Sequence, residues 1–261
     1  MYMKIAFITA CMGRLSHLKM TLQKNIKDNI INYPNCKFYL LDYNSKDGLE
    51  KWVLINMQKY IDTNKLVYLK NTDAKFFRFA HSRNQLIRSV DYDTDVIVNL
   101  DADNYTGFGF AKYISETLKP NRFMVGCLFN GKTFDPIGYS DTLLGTYGRI
   151  AVRKNELQKI NGYDESFKDW GFEDSDLYLR LMNNKLKYDT ISVNYLHSIP
   201  HSDEERTKNT ENNNVGKIKD NYDYFTDVMH AYSSNNPIKR NPKGWGQGIL
   251  QKNFKEVVTL N

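Results

Sequence analysis

Little in this chain could hold it together covalently. Three cysteines, Cys11, Cys36 and Cys127, lie far apart in 261 residues and form no CxxC pair. An odd number at such spacing excludes a disulfide framework and a zinc knuckle, and reads as reduced thiols of an intracellular protein. No apolar run is long enough to span a bilayer. Met1 to Ile5 leads straight into a strand pattern, so no signal peptide is expected and the cytoplasm is the default location. Strong charge of one sign is also missing. The formal net charge of +6 is modest for the length, and basic residues are interleaved with acids. A general nucleic-acid footprint is thereby excluded, while phosphate-bearing substrates or a peripheral membrane contact stay compatible. Neither an internal repeat nor a clean domain boundary is visible.

What remains is an ordinary soluble composition, 41% hydrophobic, in a chain long enough for one large α/β domain. Lys4 to Thr9 reads as a strand, and Leu15, Leu18, Leu22 and Ile26 recur at helical spacing. The alternation continues with strand 38–41, helix 49–61, strand 66–69, helix 79–90, strand 96–100 and helix 108–118. Such regular alternation predicts a mostly parallel sheet flanked by helices, with ligands gathering beyond the carboxyl ends of its strands. Farther on, strands are predicted at 123–129 and 146–152, a helix at 154–160, a strand pair over 187–199 and an amphipathic helix over 222–232. The Pro-, Gly- and Lys-bearing stretch from Asn235 to Gly248 reads as a flexible flap or docking segment.

The most informative stretch is Val96-Ile97-Val98-Asn99-Leu100-Asp101-Ala102-Asp103. Residues two apart on an extended chain share a face, so Asp101 and Asp103 can point at one object past the strand end. Paired carboxylates suit Mg²⁺ or Mn²⁺ shared with nucleotide phosphates. Taken alone, an Asp-x-Asp also caps turns. Asp42 and Asn44, after the second strand, can receive a nucleobase edge and a ribose hydroxyl, or can form an Asx-turn. Arg14 after the first strand can approach a pyrophosphate. Arg83 near a helix start is placed for an anionic ligand, or for an internal ion pair.

A second acidic segment, Lys168-Asp169-Trp170-Gly171-Phe172-Glu173-Asp174-Ser175-Asp176-Leu177, opens a predicted helix. Acids at a helix start are favourable by themselves. The Trp170-Gly171 pair adds a flat ring beside a flexible residue, suited to stacking on a sugar face, with an acid alongside to take a hydroxyl proton. His197 and His201 follow, and either can join the Asp-x-Asp site as a nitrogen ligand, which favours Mn²⁺ over Mg²⁺.

In combination these motifs resemble the GT-A fold glycosyltransferases, most closely the family 2-like enzymes whose acceptor half is similar to that of β-1,4-galactosyltransferases and polypeptide GalNAc-transferases. The matching residues are Thr9-Ala10-Cys11-Met12-Gly13-Arg14-Leu15 with His17-Leu18, Leu41-Asp42-Tyr43-Asn44, Ser82-Arg83-Asn84, Leu100-Asp101-Ala102-Asp103, Gly162-Tyr163-Asp164-Glu165 and Trp170-Gly171-Phe172-Glu173-Asp174-Ser175-Asp176-Leu177. They run from about Ile5 to Arg206. The resemblance implies one GT-A domain over 1–206, with a nucleotide half to 103 and an acceptor half from 104, then a C-terminal helix and tail over 207–261. It implies donor contacts at Thr9, Cys11, Arg14, Asp42, Asn44, Arg83, Asp101 and Ala102, and metal at Asp103. The nitrogen ligand would be His201, with His197 second. Acceptor contacts fall on Trp170, Gly171 and Glu173, and Asp174 is the base, with Glu173 beside it. The Gly13 loop departs from the Pro-containing form common in family 2.

The expected activity is therefore metal-dependent transfer of a sugar, from a UDP-sugar first among donors, to a glycan, lipid-linked or protein hydroxyl with inversion. A nucleotidyltransferase would carry a richer Gly and Lys/Arg loop after the first strand than the single Gly and Arg present here. A nucleotide-sugar-binding module without turnover is the remaining alternative.

Overall fold

The first strand sits at the centre of the molecule. In β1 (Ile5–Cys11), Ala6 and Ile8 point into one buried cluster while Ile5 and Phe7 point into another on the opposite face. Alternation of two apolar sets is what a strand covered on both sides requires. The structure is a computed structural model that describes residues 3–229, 232 and 239–261.

Strands β2 (Cys36–Tyr43), β3 (Leu66–Asn71) and β4 (Val96–Asn99) follow, then a short β5 (Asn104–Tyr105). Next come β6 (Arg122–Val125), β7 (Cys127–Phe129), β8 (Phe134–Pro136) and β9 (Ile150–Arg153). The chain ends with β10 (Lys187–Thr190), β11 (His197–Ser198), β12 (Gly248–Lys252) and β13 (Glu256–Leu260). Nine of them form one sheet in the order β10-β6-β9-β4-β1-β2-β3-β12-β13. β1, β2, β3 and β4 run parallel, and β9 and β12 run against their neighbours. The chain steps outward from β1 through β2 to β3, then returns to β4 on the other side of β1. At such a switch point the connections diverge and leave a crevice beyond the strand ends.

The helices are α1 (Leu15–Ile30), α2 (Leu49–Asn56), α3 (Gln58–Asp62), α4 (Phe79–Ser89), α5 (Phe110–Thr117), α6 (Asp141–Leu144), α7 (Lys154–Lys159), α8 (Glu173–Asn183), α9 (Asp203–Thr207) and α10 (Ile218–Met229). α1 shows how the pattern works. Leu15, Leu18, Leu22 and Ile26 all bury on one face, joined by Thr21, Asn25 and Asn29. Those polar members tie down the chain after the Asp-x-Asp stretch: Thr21 Oγ1 donates to the Ala102 carbonyl at 2.7 Å and Asn25 Nδ2 to the Asn104 carbonyl at 2.8 Å.

The predicted alternation through β4 and α5 is present, with three revisions. The single helix expected over 49–61 breaks at Met57, whose ψ of −2° ends α2 before α3 begins. The strand expected over 123–129 is cut at Gly126, where a Cβ would stand 2.6 Å from the Thr146 carbonyl oxygen. The backbone there leaves the main sheet, and β7 pairs with β8 instead. The pair expected over 187–199 is no hairpin: β10 joins β6 in parallel, and β11 pairs with β5 beside the Asp-x-Asp stretch.

The C-terminal region also differs from expectation. Of the stretch 235–248, residues 235–238 lie outside the described residues, as do 230 and 231 of the helix expected over 222–232. Residues 239–248 pack against the body. Arg88 Nη1 donates to the Trp245 carbonyl at 2.7 Å, and the Gly246 amide donates to Glu165 Oε1 at 2.6 Å. β12 and β13 then extend the sheet past β3, which the alternating Leu250 and Val258 allow. Among the described residues no helix is long and apolar enough to cross a membrane.

Candidate active site

A cleft of about 980 Å³ opens at the carboxyl ends of β1 and β4. Asp101 and Asp103 line it from one side, and Trp170, Gly171, Glu173 and Asp174 from the other. The two acidic segments, remote in sequence, thus share one cavity.

The Asp-x-Asp side is built by the end of β4. The Leu100 amide bonds back to the Ile8 carbonyl at 3.0 Å, so the chain is still held by β1 immediately before Asp101. β5 and β11 pair just beyond, and the Ile199 amide donates to the Asp103 carbonyl at 2.9 Å. That pairing delivers His201, whose Nε2 lies 2.8 Å from Asp103 Oδ2. His197, in β11, is exposed and does not line the cleft. Beneath this corner lies Arg149, 1% exposed, with Nη2 donating to Asn104 Oδ1 at 2.9 Å and a bond to the Tyr195 carbonyl. Burial pushes the Arg149 guanidinium down to about 10, while Asp101 and Asp103 pull it back up.

The opposite wall depends on unusual backbone. Gly171 has φ of +103° and Phe172, the residue before α8, has φ of 68°. An aromatic residue in the left-handed region is costly and must be held by its surroundings. Phe172 packs on Phe225 and Tyr222 of α10, with ring centroids 5.5 and 5.2 Å apart. The turn that results places Glu173 and Asp174 in the first turn of α8, where the helix dipole favours acids. Four acids crowd this segment in the sequence, yet only two line the cleft. Asp169 accepts from Asn212 Nδ2 at 2.5 Å, and Asp176, fully buried, pairs with Arg180 at 2.7 Å.

Arg83 of α4 joins the two walls. Its Nη1 donates to Glu173 Oε1 at 2.9 Å and Asp174 Oδ1 at 3.0 Å, and its Nη2 to Asp101 Oδ1 at 3.2 Å. The side chain is 5% exposed. One guanidinium faces three carboxylates, so charge compensation is incomplete. Burial and the neighbouring acids outweigh Arg83 and hold the Asp174 carboxyl well above the usual range. Burial raises Glu173 as well. A proton-accepting group with raised affinity for a proton suits general-base work near neutral pH.

Several residues singled out in the sequence reach the cleft: Cys11, Arg14, Arg83, Asp101, Ala102, Asp103, Trp170, Gly171, Glu173, Asp174 and His201. Thr9, Asp42 and Asn44 do not. Thr9 is 4% exposed within β1. Asp42 is fully buried, accepting from Tyr68 Oη at 2.8 Å and the Ser45 amide at 2.7 Å, and burial raises its pKa. Asn44 has φ of 62° and donates to the Ala74 carbonyl at 2.8 Å, as a turn residue does. Sequence reasoning gave no site role to Tyr147, Gly148 or His17, the last named only within the matching motif, and all three line the cleft as well. Gly148 gave the one local hint, as a glycine within the strand predicted at 146–152. A Cβ there would stand 2.7 Å from Asp174 Oδ2.

Mn²⁺ or Mg²⁺ fits the donors at one corner. Among the described residues no group of three or more His, Cys, Asp or Glu could hold an ion by itself. A carboxylate oxygen of Asp103 and the imidazole of His201 do converge, and an ion shared with a nucleotide takes its remaining ligands from phosphates and water. The nitrogen donor favours Mn²⁺.

Residues 130–202 match the family described as the N-terminal domain of galactosyltransferase. No curated protein matches the sequence. Solved structures share the fold at low identity. A mannosyltransferase from Pyrobaculum calidifontis in complex with GDP-Man and Mn²⁺ is 16% identical, with 73% of this chain and 55% of that chain covered and a TM-score of 0.57. A fragment of S. aureus TarS in complex with UDP is 14% identical, with 90% and 74% covered and a TM-score of 0.56. A mutant Drosophila β-1,4-galactosyltransferase in complex with manganese, UDP-Gal and xylobiose is 15% identical, with 80% and 75% covered and a TM-score of 0.54. The chain spans little more than half the length of the mannosyltransferase. It has the GT-A fold, and its residues 130–202 are similar to the galactosyltransferase N-terminal-domain family.

Proposed function

We propose that the cleft moves a sugar from a nucleoside-diphosphate donor, UDP-linked first among them, to an acceptor hydroxyl with inversion at the anomeric carbon. The observation that carries this reading is the cleft itself, with the Asp103–His201 corner on one wall and Glu173 and Asp174 on the other. The solved structures described above hold UDP, UDP-Gal or GDP-Man.

In this reading Asp101 holds the donor ribose, and Asp103 and His201 would hold Mn²⁺ or Mg²⁺. The ion would supply Lewis-acid neutralisation of the charge that grows on the leaving diphosphate. Arg206 stands over one face of the Trp170 indole with the guanidinium carbon 5.2 Å from the centroid, and an acceptor ring would stack on the other, at the cleft. Glu173 accepts a hydrogen bond from an acceptor hydroxyl. Asp174 takes the proton of the attacking hydroxyl as its oxygen bonds to the anomeric carbon. The bond from that carbon to the diphosphate oxygen breaks with its electrons leaving on the phosphate. With Asp174 as the base and the hydroxyl attacking in line with the departing diphosphate, a single displacement inverts the anomeric carbon.

The test is release of nucleoside diphosphate from a panel of UDP- and GDP-sugars with Mn²⁺, by the wild type and by Asp103→Ala. Release that depends on Asp103, with an inverted anomeric proton signal by NMR, is expected. A retained configuration rejects the role of Asp174, and no release from any donor rejects the transferase reading in favour of a binding module.

A further inference from the structure

Arg14 immediately precedes α1 and His17 lies in its first turn, which carries no acid. Both line the cleft. The His17 side chain is 9% exposed, and its ring centroid lies 5.6 Å from that of His201. Two of the nitrogens here, His17 Nδ1 and Arg14 Nη1, are buried without a hydrogen bond. Among the described residues the acids beside them include Asp47, whose Oδ2 accepts from the Leu15 amide at 2.8 Å at the amino end of α1, and Glu205 of α9. Glu205 Oε1 stands 3.1 Å from Arg14 Nη1 and 4.0 Å from His17 Nε2, and its carbonyl accepts from Arg14 Nη2 at 2.6 Å.

Asp47 already caps the helix amino end, so the anion site rests on the guanidinium and the imidazole, which face one part-exposed carboxylate at the cleft. Glu205 fills it poorly: the carboxylate is 44% exposed, and its contact with His17 is too long for a hydrogen bond. It also lies only four residues beyond His201, so whatever engages that histidine acts on the same short segment. We propose that Arg14 and His17 form a subsite for a phosphate of the nucleotide donor, and that the Glu205 carboxylate occupies it until the donor displaces it. This inference rests on the donor reading above, and assigns to His17 and Glu205 roles that the metal corner does not require. His17 donates to a phosphate oxygen, and Glu205 is a competing anion carried by the chain itself.

The test is calorimetric titration of the whole chain with UDP and with uridine, in Mn²⁺, for the wild type, Glu205→Gln, His17→Gln and His17→Ala, with GDP added as a titrant for the wild type. Removing the competing charge should tighten UDP by about two- to fivefold, the range of a part-exposed ion pair. His17→Ala should weaken UDP roughly tenfold or more, as loss of a hydrogen bond to a charged group does. His17→Gln, with an amide nitrogen near the Nε2 position, should recover part of that. Uridine, which has no phosphate, should bind all four proteins alike, which also shows that they are folded. UDP affinity unchanged in Glu205→Gln and His17→Ala overturns the inference and leaves the donor reading intact. Equal losses for UDP and uridine overturn it too. A wild type that binds neither UDP nor GDP overturns both readings together.

Discussion

His201 Nε2 lies 2.8 Å from Asp103 Oδ2, across 98 positions of sequence. The short β5–β11 pairing makes that contact possible, because it fixes where the chain returns to the end of β4. Nitrogen and oxygen donors held this close, open to the cleft, are the reason to expect metal dependence.

Removing one of these donors should therefore act through the ion. His201→Ala is expected to weaken Mn²⁺ by more than the ~10–100-fold typical of outer-shell partners, read by titration in the presence of UDP. His197→Ala, on an exposed side chain outside the cleft, should leave Mn²⁺ affinity within about twofold of the wild type. Equal effects of the two changes would count against the corner.

The raised Asp174 carboxyl gives a pH signature. Turnover should climb with pH as the group loses its proton, and Asp174→Asn should drop the rate by about 10²–10⁴ and abolish that limb. Stability moves the opposite way. The folded pKa lies above the unfolded value of about 3.9, so the protonated carboxyl contributes stability that is complete below about pH 4 and lost as pH rises through the folded value. Denaturant melts from pH 4 upward should show a shallower fall for Asp174→Asn than for the wild type.

Arg83 is the counter-charge for Glu173, Asp174 and Asp101. Arg83→Met leaves buried carboxylates without it and should cost about 3–5 kcal/mol. Urea unfolding measures this, and a loss below about 1 kcal/mol would mean that the acids are neutral without it. Arg83→Lys keeps a charge but not the fork that reaches both walls, so it should recover part of the stability and little of the turnover.

Gly148 guards the position of Asp174. An added methyl would meet Oδ2 at 2.7 Å and Arg83 Nη2 at 3.3 Å. Gly148→Ala should lower kcat by up to about 10²-fold, the scale of a 1 Å displacement of a reacting group. UDP affinity, set at the other wall, should change little. Steady-state kinetics beside calorimetry separates the two effects, and an unchanged kcat would show that Asp174 can shift without consequence.

Much of this arrangement was legible in the residues alone. The alternation of strands and helices through α5 fixed the parallel core, since an amphipathic period is a local property of the chain. Asp101-Ala102-Asp103 at the end of an apolar strand and Trp170-Gly171 before an acid-rich helix were visible for the same reason. A carboxylate pair after a buried strand has few places to point. The resemblance to GT-A glycosyltransferases rested on the order of these motifs.

Other features belong to tertiary structure. Four acids follow Lys168, and only the left-handed turn at Gly171 and Phe172, braced by α10, decides that Glu173 and Asp174 face the cleft while Asp169 and Asp176 bond elsewhere. Asp42 looked free to bind a nucleotide, but Tyr68 from the neighbouring strand claims it. The register of two-residue strands brings His201, and not His197, beside Asp103. The C-terminal hairpin finds its place because β3 offers an open edge. Each outcome depends on which groups the folded chain brings to one point, and contacts between distant segments leave no periodic trace in the sequence.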